Sequence, residues 1–288
     1  MPTLMIPALA LALAFVAAPA QAGTSETPAV DVVVEDSGLN SPATVTAGAT
    51  TFRIRSADPE GAYVGVVRIR PGHALRDVLA DVERAFDHAD REGALAAARR
   101  LSAEMVLYGG AAVQAGMVVD YTTVLAPGAY VVIDFKEVGR PGLADKVRRL
   151  RVLPGLPHRS PSAAAEIVLS STAAGATRFT APATLPSGRP VRVVNRSRQY
   201  NEAILLPVRP GTTREQVGAY ITAVSEGGQA PSPFTGGPVG LVPMSPGHAA
   251  VIRADLAPGS YALVTWLRDY RTGRMHADQG TYELITVE

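Results

Sequence analysis

One short stretch decides the fold, and it occurs twice. Leu125-Ala-Pro-Gly-Ala-Tyr130 returns 131 positions later as Leu256-Ala-Pro-Gly-Ser-Tyr261. Each Pro-Gly pair is typical of a turn that takes glycine at its third position. The apolar runs 131–133 and 262–264 that follow are rich in β-branched and aliphatic residues, and they predict strands. A turn and strand repeated in this way indicate two copies of one β-rich unit.

Other landmarks recur in the same order. Arg70-Pro71-Gly72 returns as Arg209-Pro210-Gly211, 139 positions later, and residues 52–56 match 191–195. Gly109-Gly110 is matched to Gly236-Gly237. The two offsets differ by 8, so copy one carries 8 extra residues between positions 87 and 107. Copy one is expected at 28–155 and copy two at 163–288, and the three prolines of 154–161 predict a stiff linker between them.

The hydrophobic pattern predicts a mainly β protein made of two tandem Greek-key β-sandwiches with short helical insertions. Phe52 and Ile54 alternate with Arg53 and Arg55, which is typical of a half-buried strand. Strands are predicted at 51–56, 63–70, 130–135, 203–208, 261–266 and 282–287. Apolar residues with helical spacing predict helices at 75–86 and 217–224, after the third or fourth strand of each copy. Copy one is expected to have a second helix at about 94–107.

Composition excludes several classes of function. The 288 residues include 27 basic and 26 acidic side chains, so the net charge of +1 predicts no nucleic-acid partner and no anionic membrane surface. The chain has no cysteine, which excludes disulfides, thiol catalysis and thiolate metal sites.

Residues 1–22 are interpreted as a signal peptide. An apolar run from Leu4 to Ala18 is followed by Ala20-Gln21-Ala22, a small-residue end typical of cleavage. The alternative is an uncleaved membrane anchor, although the run is shorter than the ~20 apolar residues of a span. No later segment has the character of a span, so the mature protein is expected to be secreted or extracytoplasmic.

Both copies resemble the cupredoxin (plastocyanin-like) fold. In copy two the resemblance is carried by residues 191–195, 202–206 and 256–264, by Met275-His276 and by the final strand 282–287. The family's copper ligands are two histidines, a cysteine and a methionine. Their places fall on Asn201, Thr265, His276 and Thr281 in copy two. In copy one the first histidine and the cysteine fall on Ala62 and Asp134, and no histidine lies in the last loop. A type 1 copper centre needs the thiolate, so the resemblance implies the fold without that cofactor.

Five histidines remain as chemistry-bearing residues. His73 is predicted in a turn, His88 near a helix end and His158 in the linker. His248 and His276, with Met244 and Met275, are a conceivable soft site for Cu(I), and the alternative is that they are surface loop residues.

No motif of a known catalytic type occurs, and neither a catalytic residue nor an enzyme is predicted. A hydrolase centred on His276 and Asp278 is kept as a third hypothesis, with Asp269, Glu283 and the hydroxyl of Thr265 close by in sequence.

The aromatic residues Trp266, Tyr200, Tyr270 and Phe234 are predicted to form a binding face on loops at one end of copy two. Packing of Trp266 into the core is the alternative. The leading hypothesis is an exported, non-catalytic binding or structural protein that contacts a protein, peptide or glycan of the cell envelope through the loops around Asn201, Trp266 and His276. The alternative is copper storage or delivery through the histidines and methionines of copy two.

Overall fold

The computed structural model describes residues 29–35, 37–87, 89–156 and 158–288. The predicted signal peptide and His88 lie outside the described residues. The first nine strands are β1 (Ala29–Glu35), β2 (Gly38–Asn40), β3 (Thr44–Thr46), β4 (Gly48–Ser56), β5 (Ala62–Ile69), β6 (Met105–Val113), β7 (Val118–Leu125), β8 (Gly128–Asp134) and β9 (Arg148–Leu153). The last nine are β10 (Ala165–Ser171), β11 (Thr177–Thr180), β12 (Thr184–Leu185), β13 (Val191–Arg196), β14 (Asn201–Pro207), β15 (Val239–Met244), β16 (Ala249–Ala254), β17 (Gly259–Val264) and β18 (Tyr282–Val287). The α-helices are α1 (Leu75–Ala85), α2 (Arg91–Glu104), α3 (Leu143–Lys146) and α4 (Arg214–Ser225), and a 3-10 turn spans Phe135–Glu137.

The strands form two mixed sheets, in agreement with the predicted β-sandwich class. One has the order β11-β10-β13-β16-β7-β4-β1-β2, and the other the order β12-β18-β17-β14-β15-β6-β5-β8-β9-β3. The pairing of the first nine strands recurs in the last nine: β1 is parallel to β4 and antiparallel to β2, as β10 is to β13 and β11. The pairs β7–β16 and β6–β15 join the two halves, so both sheets continue from one half into the other.

The repeated turn-and-strand phrase has a structural reason. The hydroxyl of Tyr130 donates a hydrogen bond to the carbonyl of Ala126 at 2.9 Å, and that of Tyr261 donates to Ala257 at 2.8 Å. Each tyrosine therefore bonds back to the alanine of its own Ala-Pro-Gly turn, in the manner of the tyrosine corners of β-sandwiches. The bond closes the corner from which β8 or β17 starts into the core.

The main core lies between the two sheets and follows the predicted alternation. Phe52 and Ile54 are each 1% exposed, whereas Arg53 and Arg55 point to solvent from the outer face. Phe52 stacks on Tyr121 with ring centroids 5.9 Å apart, and the buried Tyr121 hydroxyl donates to the carbonyl of Tyr108 at 2.7 Å. Burial of the apolar face of each strand is therefore what holds the sheets together.

The helices lie on the outer face of the second sheet. The apolar stripes predicted α1 and α4 correctly, and their buried residues are Val78, Leu79 and Val82 in α1 and Val217 and Ile221 in α4. The second helix of copy one is α2, which begins and ends about three residues before the predicted bounds. The helices follow the fifth strand, not the third or fourth. The prediction was wrong here because β2 and β3 are too short to show a period-2 pattern.

The predicted equivalence of Gly109-Gly110 with Gly236-Gly237 is also wrong. Gly110 lies inside β6, whereas Gly236 and Gly237 precede β15. The position that corresponds to Gly110 is Gly240. A Cβ at Gly110 would lie 1.9 Å from the carbonyl oxygen of Val64, and one at Gly240 would lie 2.3 Å from that of Ala203. Val64 and Ala203 are themselves 139 positions apart, the offset of the early landmarks.

The junction of the two halves carries a charged bridge. On the outer face of the first sheet, the carboxylate of Asp120 on β7 accepts from Arg53 on β4 at 3.0 Å and from Arg253 on β16 at 2.6 Å. No helix among the described residues has both the length and the apolar character that crossing a membrane requires.

We expect Asp120→Asn to lower the free energy of unfolding by about 1 kcal/mol, because a carboxylate shared by two arginines loses its charge. The matched control is Asp31→Asn on the same face. Asp31 pairs with Arg55, and their side chains are 59% and 48% exposed, so this change should be within error. Urea unfolding measures both variants, and equal losses in the two would contradict the bridging role.

Candidate functional site

In the second half of the chain, most of the positions that the resemblance assigns to copper ligands are filled by hydrogen-bonded polar side chains. Asn201 is 0% exposed, and its amide nitrogen donates to the hydroxyl of Ser197 at 2.7 Å. Its carbonyl oxygen accepts from Thr265 at 3.3 Å, while Thr281 donates to the backbone carbonyl of Thr177 at 2.7 Å. These amide and hydroxyl groups are engaged with one another and include no thiolate, so the residues present do not fit a type 1 copper centre.

In copy one, the residues at the copper-ligand places also do not fit a type 1 copper centre, although they are different residues. Asp134, in the place of the cysteine, is 5% exposed and accepts from the backbone N–H of Tyr63 at 2.9 Å and from that of Lys136 at 3.1 Å. Burial raises the pKa of this carboxyl, although these backbone bonds oppose the shift. Asp134 therefore caps the turn that follows β8, and Ala62 at the other ligand place offers no donor atom.

The four side chains of the copper hypothesis lie in different surroundings. Met244 belongs to the core between the sheets, and His248 packs edge-on against Tyr108 with ring centroids 4.9 Å apart. Met275 lines a surface cleft, and His276 is 0% exposed. Within the part of the chain that the structure describes, no three His, Asp or Glu side chains are grouped to hold a metal ion. The expectation that His276 is a surface loop residue is wrong.

His276 is unusual because neither imidazole nitrogen has a hydrogen-bond partner although both are buried. Burial lowers its pKa to about 4, a shift that the Asp269 carboxylate partly opposes. Asp278, the predicted partner of a hydrolase site, accepts instead from Arg274 at 2.7 Å and from Thr222 at 3.3 Å. The imidazole nitrogens of His276 form no hydrogen bond with Asp278, so the geometry gives the hydrolase hypothesis no support.

A cleft of about 170 Å³ lies on the outer face of the second sheet. One wall is the α1–α2 hairpin, with Phe86, Leu95 and Ala98 among its lining residues. The opposite wall is the segment 265–276, which contributes Trp266, Arg268, Tyr270 and Met275, and Tyr200, Phe135 and Met105 also line the cleft. The cleft therefore joins helices of copy one to the loop of copy two that follows β17.

Buried hydrogen bonds hold the 265–276 segment in place. The carboxylate of Asp269 accepts from Gln199 at 2.8 Å and from Arg271 at 3.0 Å, and the carbonyl oxygen of Gln199 accepts from the backbone N–H of Tyr270 at 2.9 Å. Burial opposes the charge of Asp269, but the bonds from Arg271 and Gln199 outweigh it and hold the pKa at about 2. The segment is thus anchored by an ionised carboxylate that is not part of the cleft lining.

Arginines of α2 tie the same segment to the opposite wall. Arg91 donates to the carbonyl of Gly273 at 3.1 Å, and Arg99 donates to that of Tyr270 at 2.8 Å. Arg268, within the segment, also donates to Gly273 at 3.0 Å. These charge-assisted bonds set the width of the cleft.

One buried carboxyl lies behind Trp266. Glu202 is 6% exposed, and it accepts from the backbone N–H of Trp266 at 2.7 Å. Burial raises its pKa to about 7, and the bond from Trp266 only partly offsets the shift. The same carboxylate contributes to raising the pKa of Tyr63 to about 12, after burial as the main cause.

The structure brings together three of the four predicted aromatic residues, since Trp266, Tyr200 and Tyr270 all line the cleft. Phe234 lies behind them, between Tyr220 and Trp266, at centroid distances of 5.3 and 6.1 Å. Asn201 and His276, around which a partner was expected, are fully buried and offer it no surface.

Sequence reasoning missed the other wall of the cleft. The apolar pattern predicts Phe86, which is 42% exposed, only as the end of a helix, and Phe135 only as the end of a strand. No feature of the sequence predicts Arg268 as a cleft residue. These residues meet copy two only through the joined sheets, which no local pattern reveals.

No family model matches the chain, and no curated protein matches it. Among solved structures, auracyanin A, a "blue" copper protein from Chloroflexus aurantiacus, is 13% identical with a TM-score of 0.28, and the match covers 44% of this chain and 100% of that one. Cu-containing nitrite reductase from Thermus scotoductus SA-01 is 13% identical with a TM-score of 0.26, covering 91% and 61%. Blue copper oxidase from Nitrosomonas europaea is 14% identical with a TM-score of 0.26, covering 91% and 86%. These neighbours are cupredoxins, the family that the sequence resembles, and the likeness concerns the fold.

Proposed function

We propose that this is an exported, non-catalytic binding protein whose ligand enters the cleft between the α1–α2 hairpin and the 265–276 segment. The observation that carries the proposal is the cleft itself, a concave apolar site with five aromatic rings and one charged residue in its lining. Small-molecule sites commonly have this composition. The polar residues at the copper end of copy two anchor one wall of the cleft, which gives that end a structural role.

The two halves are proposed to be copies of one cupredoxin-like unit, at 28–155 and 163–288. The recurrence of strand pairing and the two tyrosine corners support this. The copies differ where the cleft forms: copy one supplies the α1–α2 hairpin, and copy two supplies the loop after β17. A binding site between the two copies would explain why the hairpin is found in one copy and the loop in the other.

Filling the cleft tests the binding proposal. Ala98 on α2 lines the cleft, so Ala98→Phe should reduce the affinity for a small apolar probe such as toluene at least tenfold. The matched control is Ala96→Phe, a half-buried position on the same helix outside the lining. Trp266 is the only tryptophan, so its fluorescence reports binding directly. Unsaturable quenching, or equal losses in both variants, would rule out this cleft as the site.

Export is tested separately. The signal proposal places the mature start at Gly23, after Ala20-Gln21-Ala22. Expression in a bacterial host followed by fractionation and N-terminal sequencing should give a shortened chain outside the cytoplasm. A full-length chain in the membrane fraction would support an anchor instead.

Copper storage or delivery is a second candidate, favoured by one observation: both nitrogens of the buried His276 lack partners. Anaerobic titration with Cu(I) decides it. Copper handling requires affinity tighter than micromolar that is lost in His276→Ala with Met275→Ala. Weaker binding, or binding that survives these changes, would remove the candidate.

A further inference from the structure

We propose that the ligand is a small carboxylic acid with one aromatic ring, its ring held in the cleft and its carboxylate bound by Arg268. This inference rests on the proposed function, since it names the ligand class of the same cleft. The volume of the cleft limits the part of a ligand that it can enclose. An engineered apolar cavity of about 150 Å³ takes up one benzene molecule, and this cleft has about 170 Å³. It therefore accommodates one ring and a short chain.

The walls favour an aromatic ring. Phe135 in the 3-10 turn, Tyr200 just before β14 and Trp266 in the loop after β17 all line the cleft. Aromatic side chains prefer stacked or edge-to-face contacts with other rings, beyond the effect of buried area. Phe234 packs edge-on against Trp266 from behind, with an interplanar angle of 83°, and so supports this wall.

The polar groups that line the cleft favour a ligand carboxylate beside Arg268. The hydroxyl of Tyr200 donates to the backbone carbonyl of Leu101 at 2.6 Å, and that of Tyr270 donates to the backbone carbonyl of Arg198 at 3.1 Å, so both hydroxyls are engaged within the protein. Arg268 is the charged residue of the lining, and no Asp or Glu is part of it. A guanidinium has five N–H donors in a fork that matches a carboxylate, and Arg268 donates from one of its nitrogens to the carbonyl of Gly273 at 3.0 Å.

The test compares 3-phenylpropionate with 3-phenylpropanol, which has the same ring and chain without the charge. The full mature chain is titrated with each, and Trp266 fluorescence is followed. We expect the acid to bind at least tenfold more tightly than the alcohol, because charge-assisted hydrogen bonds are about twice as strong as neutral ones. In Arg268→Gln the preference for the acid over the alcohol should disappear.

Arg91→Gln is the matched control, since Arg91 donates to the same Gly273 carbonyl but does not line the cleft. It should keep the preference for the acid, whereas loss of the preference in both variants would assign the effect to loosening of the 265–276 segment and overturn the role of Arg268. Equal affinities of acid and alcohol for the unaltered chain would overturn the carboxylate inference and leave the proposed function standing. Failure of both ligands and of toluene to bind would overturn both.

Discussion

Gly110→Ala is expected to lower the free energy of unfolding by about 4 kcal/mol or more, or to prevent folding. The new Cβ would lie 1.9 Å from the carbonyl oxygen of Val64 and 2.8 Å from the Cα of Gly65, both on the paired strand β5. Backbone atoms of a central strand cannot move aside without breaking the ladder. The backbone of Gly110 also has φ +153°, a conformation that residues with a side chain rarely adopt.

Gly116→Ala is the matched control. Gly116 also has a positive φ of 75°, but a Cβ there would meet nothing within 4 Å. It should cost about 1 kcal/mol, the conformational part of the effect alone. Urea unfolding of both variants separates the two contributions, and Gly240→Ala should resemble Gly110→Ala. Similar small losses at all three positions would show that the strands β5 and β6 are not packed as described.

Glu202→Gln is expected to raise the free energy of unfolding, compared with that of the unaltered protein. This gain should be about 3 kcal/mol larger at pH 8 than at pH 4. The folded pKa of Glu202 is about 7, above its ordinary value of 4.5. Below pH 4.5 the carboxyl is neutral in both states. As the pH rises to 7 the unfolded chain ionises first, so the unaltered protein loses about 1.4 kcal/mol per pKa unit of the difference. Glutamine removes this loss, and its carbonyl can still accept from Trp266.

His276 changes the stability of the protein over the same pH range in the opposite direction. Its folded pKa of about 4 lies below the ordinary 6.5, so stability falls as the pH decreases from 6.5 to 4. In the unaltered protein the two effects partly cancel, and in Glu202→Gln the rise due to His276 should no longer be offset by Glu202. Thermal and urea unfolding between pH 4 and 8 measure the curves. Glu166→Gln, at an exposed pair with Arg192, is the control, and parallel curves for Glu202→Gln and the unaltered protein would contradict the burial of Glu202.

The local structure was predictable because it depends on neighbours in sequence. The alternation around Phe52 and the stripes of α1 and α4 are direct consequences of burying one face of an element. The repeated Ala-Pro-Gly turn and its tyrosine could be recognised for the same reason, since Tyr130 and Tyr261 each bond to a residue four positions before them.

The site was only half predictable. Trp266, Tyr200 and Tyr270 were chosen because loops at the end of a sandwich often bind, and they do line the cleft. The α1–α2 wall could not be foreseen, because the pairs β6–β15 and β7–β16 that bring it near copy two involve strands more than a hundred residues apart. The burial of Asn201 likewise depends on polar partners far away in sequence, Thr177 on one side and Thr265 on the other.

The central claim is that the cleft binds a small ligand, and methionine methyl groups test it most directly. The proposed mature chain holds four methionines, of which Met105 and Met275 line the cleft, whereas Met117 and Met244 pack against or within the core between the sheets. With the methionine methyls labelled with ¹³C, titration with toluene should shift the signals of Met105 and Met275 in a saturable way and leave Met117 and Met244 unchanged. Absence of saturable shifts, or equal shifts of all four signals, would contradict the claim.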